Sequence, residues 1–224
     1  MSELSALLQL ADAAFPAGAF AHSFGLETAI VEGRVHDAAS LDAWLRAYLD
    51  GVFASFDGAA FVLAARDGVA AELLDDRLAV SQPNEELRRA NSHLARATLA
   101  TFGAMGLTSP RLDAYAALVD VGACDGAHVI AAALGYEASG IAWRTGLTAH
   151  ATTTIATLAS VAARAVPLGQ RAIARVRWEI RPAIEHAVAR AAEVTHIDEL
   201  AMGAPQIEID GLRHRLLDGR LFAS

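Results

Sequence analysis

The sequence predicts an all-α fold: a compact bundle of about ten helices followed by a mobile C-terminal tail. Three observations carry that expectation. Apolar residues recur at three- and four-residue spacing along most of the chain, and the strict alternation that marks strands is nearly absent. Ala-rich runs at 58–66 and 69–81 continue that pattern, and the many Ala and Thr residues of the later segments, up to 136–165, permit helices to approach closely. At 224 residues and 54% hydrophobic content the chain has enough apolar side chain for one good core and is not disordered. The expected division is an all-helical domain over 1–203 and a partner-docking tail over 204–224.

The elements follow in order. Ser2 can cap a first helix with Leu4, Leu7, Leu8 and Ala11 on one face, and this helix must stop before Pro16 because proline restricts the residue before it. A second helix runs from about His22 to Glu32 and is ended by Gly33. Asp37 or Ser40 starts a third, with Leu41, Trp44, Leu45, Tyr48 and Leu49 opposite Asp42, Arg46 and Asp50. Pro83-Asn84 opens a long helix in which Leu87, Leu94 and Leu99 recur among arginines. The stretch 103–110 is a short break, and helices are expected over 111–120, 126–134 and 136–165. Pro167 and Gly169 punctuate, a further helix reaches Arg181, and Pro182 starts or kinks the last. Beyond Gly203-Ala204-Pro205 the tail carries Ile207, Ile209, Leu212, Leu216, Leu217, Leu221 and Phe222. So short a segment cannot bury that surface by itself and should dock on something.

Charge narrows the function. The net charge is −8, and all eighteen basic residues are arginine. An acidic chain lacks the basic footprint of a nucleic-acid binder. Without lysine there is neither a P-loop lysine nor a Schiff base. The single Cys124 forms no internal disulfide, and the acidic start Met1-Ser2-Glu3 is unlike a secretory leader, so a cytoplasmic protein is expected. Residues 145–163 carry no formal charge, but six of them are Thr and one is His150, which suits a helix buried in protein better than one facing lipid. No membrane association is expected.

The most specified stretch is 15–27, Phe-Pro-Ala-Gly-Ala-Phe-Ala-His-Ser-Phe-Gly-Leu-Glu. Pro16 fixes the backbone here, while Gly18 and Gly25 can take angles closed to other residues. This segment resembles the N-terminal signature of the urease accessory protein UreF family. The resemblance continues in order through Glu86-Leu87-Arg88, Ala131-Ala132-Ala133-Leu134-Gly135, Val166-Pro167-Leu168-Gly169-Gln170 and the terminal Arg220-Leu221-Phe222-Ala223-Ser224. Two positions depart: Arg215 stands where a Glu usually follows the Arg-His pair, and Gly219 where a Ser is common. The resemblance implies a non-enzymatic maturation factor without a cofactor of its own, a homodimer that binds a UreD/UreH-type protein and recruits the GTPase UreG for nickel insertion into apo-urease. Partner contacts are then expected at Pro16, Gly18, His22, Ser23, Gly25 and Glu27, at Gln170, Arg171 and Arg175, and at His214, Arg220, Leu221 and Phe222.

The residues also admit other readings. Among the eight histidines no two stand at i,i+4, so they read as scattered surface or capped histidines, a site assembled only in the fold being the alternative, and no metal site is assigned. Cys124 reads as a small buried hydrophobe, and Asp120 and Asp125 as helix-end residues. Arg171, Arg175, Arg177 and Arg181 form a stripe around Trp178 that is either a solvated face or an interface. The rival functions are a stand-alone helical enzyme using His22 and Glu27 as an acid/base pair, and a nickel-binding helical bundle.

Overall fold

The computed structural model describes residues 2–12, 15–16, 22–66 and 68–222. Among them it contains twelve α-helices, one π-helical stretch, one 3-10 turn and no strand. Local chemistry accounts for most boundaries. Ser2 caps α1 (Glu3–Leu10) by accepting the Ser5 N–H at 3.3 Å. The second helix, α2 (Leu26–Val31), starts later than the His22 expected from sequence, because Phe24 (φ 52°) and Gly25 (φ 88°) form a left-handed turn in front of it. Asp37 and Ser40 make a reciprocal capping box at the head of α3 (Ala38–Tyr48).

A π-helical stretch (Leu49–Asp57) then joins α3 to α4 (Gly58–Ala65), so residues expected as separate helices form one 28-residue rod, Ala38–Ala65. The rod is long and apolar enough to cross a membrane. Its apolarity has another cause here, since 72% of its most apolar window is buried inside the protein, with Leu49, Phe53 and Phe61 fully enclosed. Beyond it come α5 (Ala71–Ser81), then α6 (Glu85–Met105) with Asn84 accepting the Glu86 and Leu87 N–H groups at 3.0 and 3.4 Å. Ser109 and Pro110 open α7 (Pro110–Asp120).

The sequence predicts an uninterrupted helix over 136–165. Instead α8 (His128–Ala138) and α9 (Trp143–Ala165) are separated where Gly140 takes φ 74°. Pro182 sits in the first turn of α11 (Arg181–Ala191), directly after α10 (Gln170–Glu179). The central rod packs against α8 and α11, with α9 crossing beside them and α6 and α7 closing over α8. The charge-free residues 145–163 lie within α9, which buries Leu147, Ala151, Ile155 and Leu158 in that core.

The tail departs from its expectation. Residues 205–214 form a helix, α12 (Pro205–His214), laid along α2, and the chain after it folds back so that Phe222 is buried. The apolar surface expected to require a partner is partly absorbed by the chain's own α2 and α6. Burying large apolar side chains such as Ile207 and Phe222 is worth roughly 1.5–3 kcal/mol each, enough to offset part of the cost of ordering a short segment.

Candidate functional site

The N-terminal turn, the start of α6 and the C-terminal segment meet at one place. Gly25 makes the meeting possible: a Cβ there would lie 2.9 Å from the Ile207 carbonyl oxygen and 3.0 Å from the Gly211 nitrogen, so only glycine admits α12 this closely. On α2, the Thr28 hydroxyl donates to the Asp210 carbonyl at 2.8 Å. The fully buried Asp210 carboxylate accepts a two-pronged pair of bonds from Arg34 at 2.6 and 2.8 Å.

At the other end of α12, the imidazole of His214 is enclosed between two carboxylates. Its Nε2 lies 2.8 Å from Glu27 and its Nδ1 3.1 Å from Glu86. Arg220 donates to the second Glu86 oxygen at 2.8 Å. Glu27 also accepts the backbone N–H groups of Leu221 at 2.6 Å and Phe222 at 3.3 Å. The Phe222 ring then lies beneath the Arg164 guanidinium of α9 at 4.6 Å. One carboxylate on α2 thus holds the last turn of α12 and the chain end together.

The residues expected to face a partner divide accordingly. His22, Ser23, Glu27 and His214 are buried, and Gly25 is packed under α12, so their side chains shape a surface instead of presenting one. Gly25 and Glu27 are covered by α12 and the chain end, and His214 belongs to that segment and is enclosed by Glu27 and Glu86. Pro16 is exposed, and Gly18 lies outside the described residues. Gln170, Arg171, Arg175 and Arg220 are exposed, as is Leu221, while Phe222 is buried. Sequence reasoning missed Thr28, Arg34 and Asp210 altogether. It used Glu86 only as part of a motif, and no local signal could have paired Glu86 with a histidine 128 positions away.

Two outer surfaces remain. Beside the clamp, Ile209, Leu212, Leu216 and Leu221 are all at least 40% exposed, an apolar band on a segment whose inner face is already satisfied. The second surface is basic: residues 138–178 hold five of the eighteen arginines and none of the twenty-six acids. They supply α9 and α10, which with α1 border a groove of about 870 Å³ lined by Leu7, Leu8, Ala156, Arg164 and Arg177 among others. On α10 Trp178 is 64% exposed and covered on one face by Arg181, so the stripe presents an aromatic among cations.

A cavity of about 140 Å³ lies inside the bundle, bordered by Tyr48, Asp57, His128, His150 and several threonines of α9. Burial raises the Asp57 carboxyl to about 6, against the opposing effect of the Tyr48 hydroxyl that donates to it at 3.1 Å. The His128 and His150 rings are 5.6 Å apart, and burial lowers them to about 4 and about 3. Both are therefore neutral imidazoles near neutral pH. Among the described residues no group of three or more His, Cys, Asp or Glu side chains converges as a metal site. Nor is Glu27 placed as a catalytic acid or base with His22. It is almost fully buried, and its oxygens already accept from His214, Leu221 and Phe222.

These features define a helical scaffold whose most elaborate polar network holds its own two ends together and shapes outer surfaces. The comparisons with known proteins agree in kind. The UreF family model matches residues 35–181. The chain is 35% identical to the urease accessory protein UreF of Corynebacterium glutamicum over 97% of this chain and 96% of that one. Identity is 34% to the protein of that name from Arthrobacter sp., over 98% and 96%, and 33% to that of Paenarthrobacter aurescens, over 98% and 97%. The chain belongs to the UreF family of urease accessory proteins.

Proposed function

We propose that this chain is a non-enzymatic scaffold for urease maturation in the cytoplasm. It dimerises, binds a UreD/UreH-type protein and recruits the GTPase UreG, so that nickel reaches apo-urease as cargo carried by others. The observation that supports this reading best is the clamp at Glu27, which joins the N-terminal turn to the chain end and leaves the apolar band of Ile209, Leu212, Leu216 and Leu221 facing outward. The band suits the UreD/UreH-type partner. The arginine face of α10, with Gln170, Arg171 and Arg175, suits an acidic surface on the GTPase. Coupling between the two would be a difference in affinity for the nucleotide states of the GTPase.

The neutral His128 and His150 pair supplies too few converging ligands for a nickel-storing bundle. Co-expression of the full chain with both partners, followed by affinity capture, tests the assignment. A stable ternary complex is the expected outcome, and capture of neither partner would overturn it.

A further inference from the structure

We infer that the cavity inside the bundle is a binding site for a small primary ammonium ion, an amine of a few carbon atoms in its charged form. The inference goes beyond the partner assignment and does not rest on it. The cavity measures about 140 Å³, room for a molecule of several heavy atoms, since a single water needs only about 10–15 Å³ on this measure. Most of its wall is apolar, with Val52, Phe56, Leu78, Leu94 and Val129 among the residues that border it. A few polar groups interrupt that wall, the pattern of small-molecule sites. Gln82, Met202 and Glu208, all half-buried, border it as well.

Charge selects a cation. Among the described residues that border the cavity, the two with a formal charge are Asp57 and Glu208, both acidic. None of the eighteen arginines lines it, and the chain has no lysine. One oxygen of Asp57 accepts the Tyr48 hydroxyl at 3.1 Å, and no cation among the described residues pairs with its carboxylate. Burial raises this carboxyl only to about 6, so it is mainly ionised at pH 7.5. An enclosed carboxylate without a counter-ion is costly, and a ligand that brings a positive charge removes that cost. The rings of Phe24, Tyr48 and Phe56 border the same space, and aromatic faces attract cations. Asp57 also ends the π-helical stretch, a backbone form that is rare and frequent at functional sites.

The hydrogen-bond inventory selects an ammonium. The His128 and His150 rings lie 5.6 Å apart, and neither makes a hydrogen bond to another described residue. Each ring is neutral near neutral pH and so offers one accepting nitrogen. With the second Asp57 oxygen these make three acceptors, matching the three N–H donors of a primary ammonium. A directly ligated transition metal would need its donors at about 2.0–2.2 Å, and among the described residues no three such side chains converge as a metal site. Hydrogen bonds from an ammonium are about 2.7–3.2 Å long, so the accepting groups can stand farther apart. A neutral molecule would satisfy the rings but leave the charge of Asp57 unbalanced.

Propylammonium chloride, titrated into the uniformly 15N-labelled full chain at pH 7.5, tests the site, with sodium chloride at equal ionic strength and 1-propanol as controls. Long-range 1H–15N correlation spectra read the ring nitrogens of His128 and His150. Propylammonium should shift both rings along a saturable curve, and sodium chloride should not. Propanol, which keeps the carbon chain without the charge, should bind at least tenfold more weakly. Asp57→Asn should weaken propylammonium binding at least tenfold. Absence of a saturable shift from propylammonium would overturn the proposal, as would propanol binding equally well, or undiminished affinity in a folded Asp57→Asn. Loss of the two ring signals on adding one equivalent of nickel(II) would also overturn it, by showing a metal site. Far-UV circular dichroism verifies that the variant is folded, and if it is not, the propanol comparison in the wild-type chain decides by itself.

Discussion

Replacing Gly25 by alanine probes the closest approach in the clamp. The backbone there has φ 88°, where an L-residue is strained by roughly 1–2 kcal/mol. The new Cβ would also lie 2.9 Å from the Ile207 oxygen and 3.0 Å from the Gly211 nitrogen, both backbone atoms that move only if α12 moves. Overpacking of this kind typically costs about 1–3 kcal/mol, so the sum is roughly 2–5 kcal/mol against docking of α12 on α2. For a domain of this size that corresponds to a fall in Tm of roughly 4–20 °C if the segment unfolds with the body. If it detaches by itself, hydrogen exchange over 205–214 should accelerate while the far-UV spectrum stays helical. Gly25→Val should behave the same way, more severely, and should also weaken recruitment of the GTPase. A Gly25→Ala variant within about 0.5 kcal/mol of wild type, with α12 still protected, would show that the close approach does not depend on glycine.

Other perturbations have separate readouts. Asp210→Ala removes the buried carboxylate but leaves Arg34 half-exposed and still paired with Glu32 at 2.9 Å, so it should lower stability in urea by about 1.5–3 kcal/mol, the range for lost hydrogen bonds to a charged group. Asp75 is buried and accepts the Tyr115 hydroxyl at 2.6 Å and the Ala127 N–H at 2.9 Å, so Asp75→Ala should destabilise by at least about 2 kcal/mol and Tyr115→Phe by about 1 kcal/mol. Asp57, raised to about 6, keeps its proton in the folded chain where the unfolded chain has lost it, so its contribution to stability declines as pH climbs from about 4 to about 6. His128 and His150, lowered to about 4 and about 3, act oppositely: unfolding lets them charge, so stability falls as pH drops below 6.5. Thermal melts across pH 4–7 should show a shallower acid loss in His150→Gln and a steeper one in Asp57→Asn. Arg171→Glu with Arg175→Glu should leave Tm within about 2 °C, as expected for exposed sites, while capture of the GTPase falls at least tenfold.

The helical class was legible because periodicity is a local property, and Asp37 and Asn84 announce their own helix starts. Boundaries failed where the decisive contact was distant or the backbone unusual. The left-handed pair Phe24-Gly25 delays α2, Gly140 divides a stretch of uniform composition, and the π-helical insertion fuses two segments that read as separate. The clamp shows the same limit more sharply. The sequence singles out His22, Ser23, Gly25, Glu27, His214 and the chain end, yet as a surface, because nothing in it states that one end of the chain covers the other. Apolar residues in the tail signal a need for burial but not the partner, and much of that partner is the chain's own α2. Asp210 and Arg34 are invisible in the sequence because ordinary charged residues on helix faces are usually solvated.

The docking role proposed for the clamped C-terminal segment requires that segment for partner binding. The decisive measurement is titration calorimetry of the full chain, and of a chain lacking residues 206–224, against the purified UreD/UreH-type protein. Removing the segment also removes the donors that satisfy Glu27, so circular dichroism must first show that the shortened body is still helical; if it is not, Leu216→Glu with Leu221→Glu, which alters only exposed positions, takes its place. Expected are a stable complex with the full chain, a loss of affinity of at least a hundredfold on truncation or on the double substitution, and no activation of urease in cells producing either variant. Undiminished affinity in a folded variant would contradict the role given to the segment.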